Sequence, residues 1–368
     1  MQADNRNLNE LKEIIAQFNI TSKILDVFKF GSGHINNTYK ITTAVKNESY
    51  LLQKINHSIF LDVDGLMRNI HIVTSHLKNH FKNINKNPET HTLTIIKTKD
   101  EKLYFRDVHG CFWRVFLFID NVKSYDVVKT YDQAYSAGVA FGEFQKQLSN
   151  LEVENIVEVL PNFHNIDFRI DNLKKSIKDD VVSRVSSVEE ILHFIFQRVS
   201  TMRSLLVMLE NSEIPLRITH NDTKFNNVLL DSKDQVQCVI DLDTVMPGLI
   251  AYDFGDAIRT IINPANEDET DLNKIKLNIP LFEAYTNGYL SQAIEFINTK
   301  ELESLYHGVV LFPYMQAVRF LTDYINNDVY YHTDYPLHNL VRAKTQIELV
   351  KQMETQKDIL KDILISNR

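Results

Sequence analysis

Residues 112–119 read FWRVFLFI, a nearly continuous apolar run of strand length. A strand with one wet face alternates apolar and polar residues, so this run belongs in a sheet covered on both faces. Shorter β-like runs accompany it. Residues 24–30 and 38–42 flank Gly31-Ser32-Gly33 and read as a hairpin, and 50–55, 92–98 and 102–106 supply further strands. Helical spacing interrupts them at 8–19, through Leu8, Leu11, Ile14, Ile15 and Phe18, and again over about 63–81.

The run ends in polar residues 120–125, and the pattern then changes. Ala134, Ala137, Phe141, Phe144 and Leu148 recur at helical spacing, as do Ile191, Phe194, Ile195, Val199, Met202 and Leu206. Residues 152–187 between them are polar and irregular, and read as a loop-rich insertion. Strands return at 216–219, 228–231 and 236–241. After Phe282 the chain reads as helical, with Leu340, Ala343, Ile347 and Val350 as the last buried stripe. The expectation is a β-rich domain over 1–120 and a larger, mainly helical one over 121–368, a division that 368 residues accommodate.

Composition excludes more than it selects. The hydrophobic fraction is 44% and the charged fraction 24%, as in ordinary soluble proteins. Net charge is −8 with no dense Lys/Arg run, which argues against a nucleic-acid or anionic-membrane surface. Cys111 and Cys238 lie in apolar strand-like runs and read as buried free thiols, not as a metal set or disulfide. Residues 1–11 lack an apolar signal-peptide core and no window reaches 18 apolar residues, so a cytoplasmic protein is expected.

The chemistry concentrates in His220-Asn221-Asp222-Thr223-Lys224-Phe225-Asn226-Asn227. The spacing His-x-Asp-x-x-x-x-Asn matches the catalytic loop of protein kinases and their relatives. Phosphoryl transfer needs a carboxylate to orient the attacking hydroxyl and an amide oxygen to hold a metal on the phosphates. A second carboxylate, Asp241, ends the next hairpin and would return beside Asn227. Residues 253–255 spell Asp-Phe-Gly, the letters of the kinase metal motif, but Asp253 follows the turn Met246-Pro247-Gly248 and opens a helical run. We therefore read Asp253 as structural, accepting backbone N–H groups of the catalytic loop, and give the metal to Asp241.

These residues resemble the aminoglycoside-phosphotransferase-like branch of the protein-kinase-like fold. The matching blocks run from Gly31-Ser32-Gly33-His34 through residues 219–230, 239–248 and 253–256 to Arg319-Phe320-Leu321-Thr322-Asp323-Tyr324. Within the branch the chain is most similar to the N-acetylhexosamine 1-kinases. The resemblance implies an α+β, bilobal fold with a small β-rich N-lobe that binds ATP and a larger helical C-lobe that carries catalysis and substrate. It implies ATP and Mg²⁺ as cofactors, with neither nucleic acid nor membrane as partner, and phosphorylation of the C1 hydroxyl of GlcNAc or GalNAc. Asp222 and Lys224 are the expected catalytic pair, and Asn227 and Asp241 the metal ligands. Gly31, Ser32, Gly33, Gln53, Lys54, Phe118 and Asp120 are expected at ATP. His34, Asp222, Asp243, Arg319 and Tyr330 are expected at the sugar, with Tyr331 an equal aromatic alternative.

Several alternatives stay open on the residues. The acceptor could be an aminoglycoside, choline, homoserine or another sugar, or the chain a silent nucleotide-binding module. The third strand offers adjacent Gln53 and Lys54, which point to opposite faces, so only one can face the nucleotide. The helix over 63–81 contains no glutamate to pair with a lysine. Arg319 and Asp323 stand four apart, where an i,i+4 ion pair is the default reading.

Overall fold

The strands β1 (Ile24–Lys29), β2 (Asn37–Thr43) and β3 (Ser49–Ile55) form one antiparallel sheet with β4 (Ile95–Ile96), β5 (Phe105–Arg106) and β6 (Phe112–Leu117). The strand order is β1-β2-β3-β6-β4, with β5 also paired to β6. The computed structural model describes residues 8–31 and 35–366. They group into two compact units: Met1–Ser124 with Asn150–Pro161 and Val228–Pro247, and Tyr125–Ser149 with Asn162–Asn227 and Gly248–Arg368.

In the first unit β2 buries Tyr39 and Ile41 and β3 buries Tyr50 and Leu52, the two-residue period of a pleated strand. These side chains share a core with Leu11, Ile14 and Ile15 of helix Leu8–Ile15, with Phe18 beyond its end, and with Trp113 and Val115 of β6. Trp113, Arg114, Val115 and Phe116 are all buried, so β6 is covered on both faces as its apolar run requires. The helix Val63–Asn83 begins at Asp62, whose carboxylate accepts from Gly65 N at 2.8 Å. The strands expected over 92–98 and 102–106 shrink to β4 and β5. Thr98 turns the chain instead: its N–H donates to Lys102 O and its hydroxyl accepts from Lys102 N.

The second unit is mainly helical. Its longest helix, Thr299–Ile325, has 27 residues and opens with a reciprocal capping box between Asn298 and Glu301. A Cβ at Gly308 would lie 1.9 Å from Ala251 O, and one at Gly255 would lie 2.3 Å from Gly308 O. Backbone-to-backbone contact with helix Ile250–Ile261 thus explains Gly255. The loop-rich insertion expected over 152–187 contains a 14-residue helix, Ile166–Asp179. Ile166, Ile170 and Leu173 form its buried stripe, and Asn165 caps it by accepting from Phe168 N. Among the described residues no helix is long and apolar enough to cross a membrane.

Candidate active site

The loop after strand Arg217–Thr219 is held from beneath by the first turns of helix Ile250–Ile261. The chain turns at Asn221, whose φ of 64° is the left-handed region. Asp253, fully buried, accepts from the backbone N–H of His220 at 2.8 Å and of Asn221 at 2.7 Å, and from the side-chain amide of Gln145 at 2.7 Å. Burial pushes its pKa up against the lowering effect of His220 and these hydrogen bonds. Thr223 N donates to Asp256 at 3.0 Å, and the Thr223 hydroxyl donates to Asp253 O at 2.6 Å. The loop is therefore pinned on either side of Asp222, at His220, Asn221 and Thr223, by Asp253 and Asp256.

Asp222 projects from this pinned loop with 25% of its side chain exposed. Lys224 Nζ lies 2.9 Å from its carboxylate, and the Asn227 side-chain N–H donates to Asp222 O at 2.9 Å. Burial favours the protonated form of Asp222, but the charges of Lys224, His220 and Arg259 outweigh it and lower the pKa. Burial also works against the Lys224 ammonium, and Asp222 and Asp256 reverse it, raising the lysine. The arrangement keeps Asp222 ionised with a cation at hand.

In the first unit Asp241 follows strand Val236–Val239 with φ 59° and ψ 55°. A non-glycine residue held there carries strain of about 1–2 kcal/mol, of the kind that clusters at functional positions. Two residues on, Asp243 is buried, and Arg114 Nη1 and Nη2 lie 2.6 and 2.9 Å from its two oxygens. Asn36 donates to the same carboxylate at 2.7 Å. Arg114 Nε donates to Gln53 at 3.0 Å, and Gln53 donates onward to Thr38 at 3.1 Å. Gln53 is thus the member of the Gln53/Lys54 pair on the Asp243 side, while Lys54 Nζ lies 6.0 Å from the Trp113 ring. At the end of β6, Lys40 Nζ stands 3.6 Å from the centre of the Phe118 ring and 3.8 Å from Asp120.

The second unit also contains a pocket of about 460 Å³ between helices Ile166–Asp179 and Thr299–Ile325, lined by Arg169, Arg319, Tyr330, Tyr331 and neutral residues such as Asn172 and Thr322. Asp323, also in its wall, accepts from Tyr330 N, Tyr331 N and Asn339 at 2.8–2.9 Å, and Arg319 donates to Gln316 at 3.2 Å. The expected Arg319–Asp323 pair gives way to this arrangement, because Asp323 holds the turn that carries the tyrosines. One dipeptide ties pocket to loop. Arg169 donates to Phe163 O at 2.7 Å, and next door His164 Nε2 faces Asn221 O at 3.1 Å. Burial drives the His164 pKa down to about 3, so its ring is neutral and Nε2–H is the donor.

Residues 26–290 match the family model described as "APH: Phosphotransferase enzyme family". The chain belongs to the APH phosphotransferase family. The fold agrees. An aminoglycoside phosphotransferase from Alicyclobacillus acidocaldarius matches over 97% of this chain and 95% of its own, at 12% identity and TM-score 0.57. Spectinomycin phosphotransferase, solved with ADP and spectinomycin, covers 95% and 99% at 13% identity and TM-score 0.56. A choline kinase from Cryptosporidium parvum covers 93% and 92% at 14% identity and TM-score 0.53.

In this phosphotransferase Asp222, Lys224 and Asn227 meet in one loop, and Arg319 and Tyr330 in one pocket. Gly31 adopts φ +78°, whereas Ser32, Gly33 and His34 lie outside the described residues. Asp243, expected at the sugar, has both carboxylate oxygens engaged by Arg114, with Asn36 on one of them. Arg114, Arg169 and His164 escaped the sequence reading. Arg114 left a signal, since a charge inside a strand buried on both faces requires a buried counter-charge. Arg169 and His164 lay in the segment taken for loop.

Proposed function

We propose that this phosphotransferase moves the γ-phosphoryl group of ATP to the anomeric hydroxyl of an N-acetylhexosamine, GlcNAc or GalNAc, giving a sugar 1-phosphate and ADP. The observation that carries the choice of acceptor is the charge of the pocket between helices Ile166–Asp179 and Thr299–Ile325. Its lining has Arg169, Arg319 and Lys175 against Asp179 and Asp323, with tyrosines and neutral hydrogen-bonding groups between, and Asp323 is already engaged by two backbone N–H groups and Asn339. Aminoglycosides and choline, the acceptors in the names of the structural relatives, are cations and would meet two guanidinium groups there. A polyhydroxyl sugar with an N-acyl carbonyl offers acceptors to the arginines and donors to the amides. The ADP in the spectinomycin phosphotransferase supports a nucleotide donor.

Asp222 orients the acceptor hydroxyl and takes its proton, an effect of ~10²–10⁴-fold for a general base. Its lowered pKa keeps it in the accepting form. Lys224 places positive charge where the transferred group carries negative charge. Each residue proposed for Mg²⁺ has the chemistry for it: Asp241 is a carboxylate, and the Asn227 amide, whose nitrogen donates to Asp222 O, keeps its oxygen for a ligand. When bound, the ion would neutralise phosphate charge. Asp243, tied to Arg114, positions Asp241 two residues away.

Release of ADP across a panel of sugars, amino alcohols and aminoglycosides tests the acceptor, and product stability tests the position. Turnover is expected with N-acetylhexosamines, giving a phosphate ester that hydrolyses in mild acid. An acid-stable sugar phosphate, or turnover confined to cationic acceptors, would refute the proposal.

A further inference from the structure

Arg169 stands in the pocket with an unmet need. Its Nη2 donates to Phe163 O, but its Nε is sequestered from solvent and has no hydrogen-bond partner. A buried donor left unpaired is costly, and a guanidinium more so than a neutral group. Arg319 lines the same pocket. Burial first, and the Arg319 charge second, push the Arg169 pKa down to about 10, so the two cations act on each other. The acids of the pocket do little to compensate them. Asp323 is engaged by two backbone N–H groups and Asn339, and Asp179 is exposed at the rim.

A neutral ligand would leave the two positive charges that line the pocket uncompensated. A group with paired, negatively charged oxygens compensates them, and guanidinium binds such groups in a planar, two-point geometry. We propose that Arg169 and Arg319 form an oxyanion subsite that takes a carboxylate or phosphate group. Two sources share that chemistry: an acidic substituent on a sugar other than the neutral GlcNAc and GalNAc proposed above, or the phosphate of a product or free anion. The first source rests on the reading of this pocket as the acceptor site; the second does not. Asn172 and the phenol of Tyr331 supply further hydrogen-bonding groups around the subsite.

The test is direct binding by calorimetry on the full chain in phosphate-free buffer, with glucose, glucuronate and inorganic phosphate as probes. Wild type is compared with Arg169→Gln and Arg169→Lys, with melting temperature and ATP binding as controls for folding. A sugar-borne oxyanion predicts that glucuronate binds ~10- to 100-fold more tightly than glucose, that Arg169→Gln removes the difference, and that Arg169→Lys restores part of it. A free anion predicts that phosphate binds, and weakens by the same factor in Arg169→Gln, while the two sugars bind alike. Failure of the wild type to bind either anion overturns the proposal without reliance on any variant. So does anion binding that a folded Arg169→Gln protein retains in full. N-acetylhexosamine turnover without anion binding would sink the subsite and leave the proposed reaction standing. Anion binding without sugar turnover would do the reverse.

Discussion

Asp222, the base proposed above, and Lys224 illustrate how one ion pair can set the pH at which a carboxylate ionises. Burial pulls Asp222 toward its neutral form and Lys224 is the foremost charge pulling it back. Lys224→Met removes that charge but leaves the opposing burial, so the Asp222 pKa must rise. The base is active when ionised, and therefore the acid limb of the kcat/KM profile should move to higher pH in the variant. A profile of turnover against pH for the two proteins checks this. An unmoved acid limb would mean that another group controls the titration, whatever the fall in rate. His164 bears on the same loop differently: burial holds its ring neutral at neutral pH, and its Nε2–H then donates to Asn221 O.

At the scale of elements, β6 does two jobs. Trp113 and Val115 complete the core against helix Leu8–Ile15, while Arg114 clamps Asp243 beyond the hairpin strand Val236–Val239. Arg114→Met would leave a buried carboxylate without its cation, and Asp243→Leu the converse. Each should lose about 3–5 kcal/mol, whereas the double variant Arg114→Met/Asp243→Leu should recover most of that loss. Denaturation midpoints of the four proteins decide, and simple addition of the two single losses would show that the pair is not coupled. The strand itself was legible because an apolar run over 112–119 has few other uses. The loop His220–Asn227 was legible because its spacing is local. Arg114 with Asp243 was not, since 129 positions separate them and only the folded sheet brings them together. The helix Ile166–Asp179 was missed for another reason: its buried apolar stripe has only Ile166, Ile170 and Leu173, and most of its other positions are polar.

At the scale of the molecule, chain order and compact grouping differ. A single boundary near residue 120 is what a composition change along the chain can suggest. The first compact unit also draws in Asn150–Pro161 and Val228–Pro247, and specific bonds tie them to it. Lys123 and Leu230 exchange backbone hydrogen bonds at 2.8–2.9 Å. Asn69, fully buried, donates to Val157 O and Val245 O and accepts from Val157 N. A fragment of residues 1–124 would retain all six strands of the sheet, yet leave Arg114 without Asp243 and Asn69 without these partners. Unpaired buried groups of this kind cost several kcal/mol together, comparable to the whole stability of a small domain. The fragment should therefore show no cooperative unfolding transition. Joining 228–247 to it through a flexible Gly/Ser linker should restore one, because it returns the carboxylate and the hairpin. Circular dichroism melts of the two fragments make the comparison. A cooperative melt for 1–124 alone, unchanged by adding 228–247, would show that these segments are guests of the first unit and not part of its core.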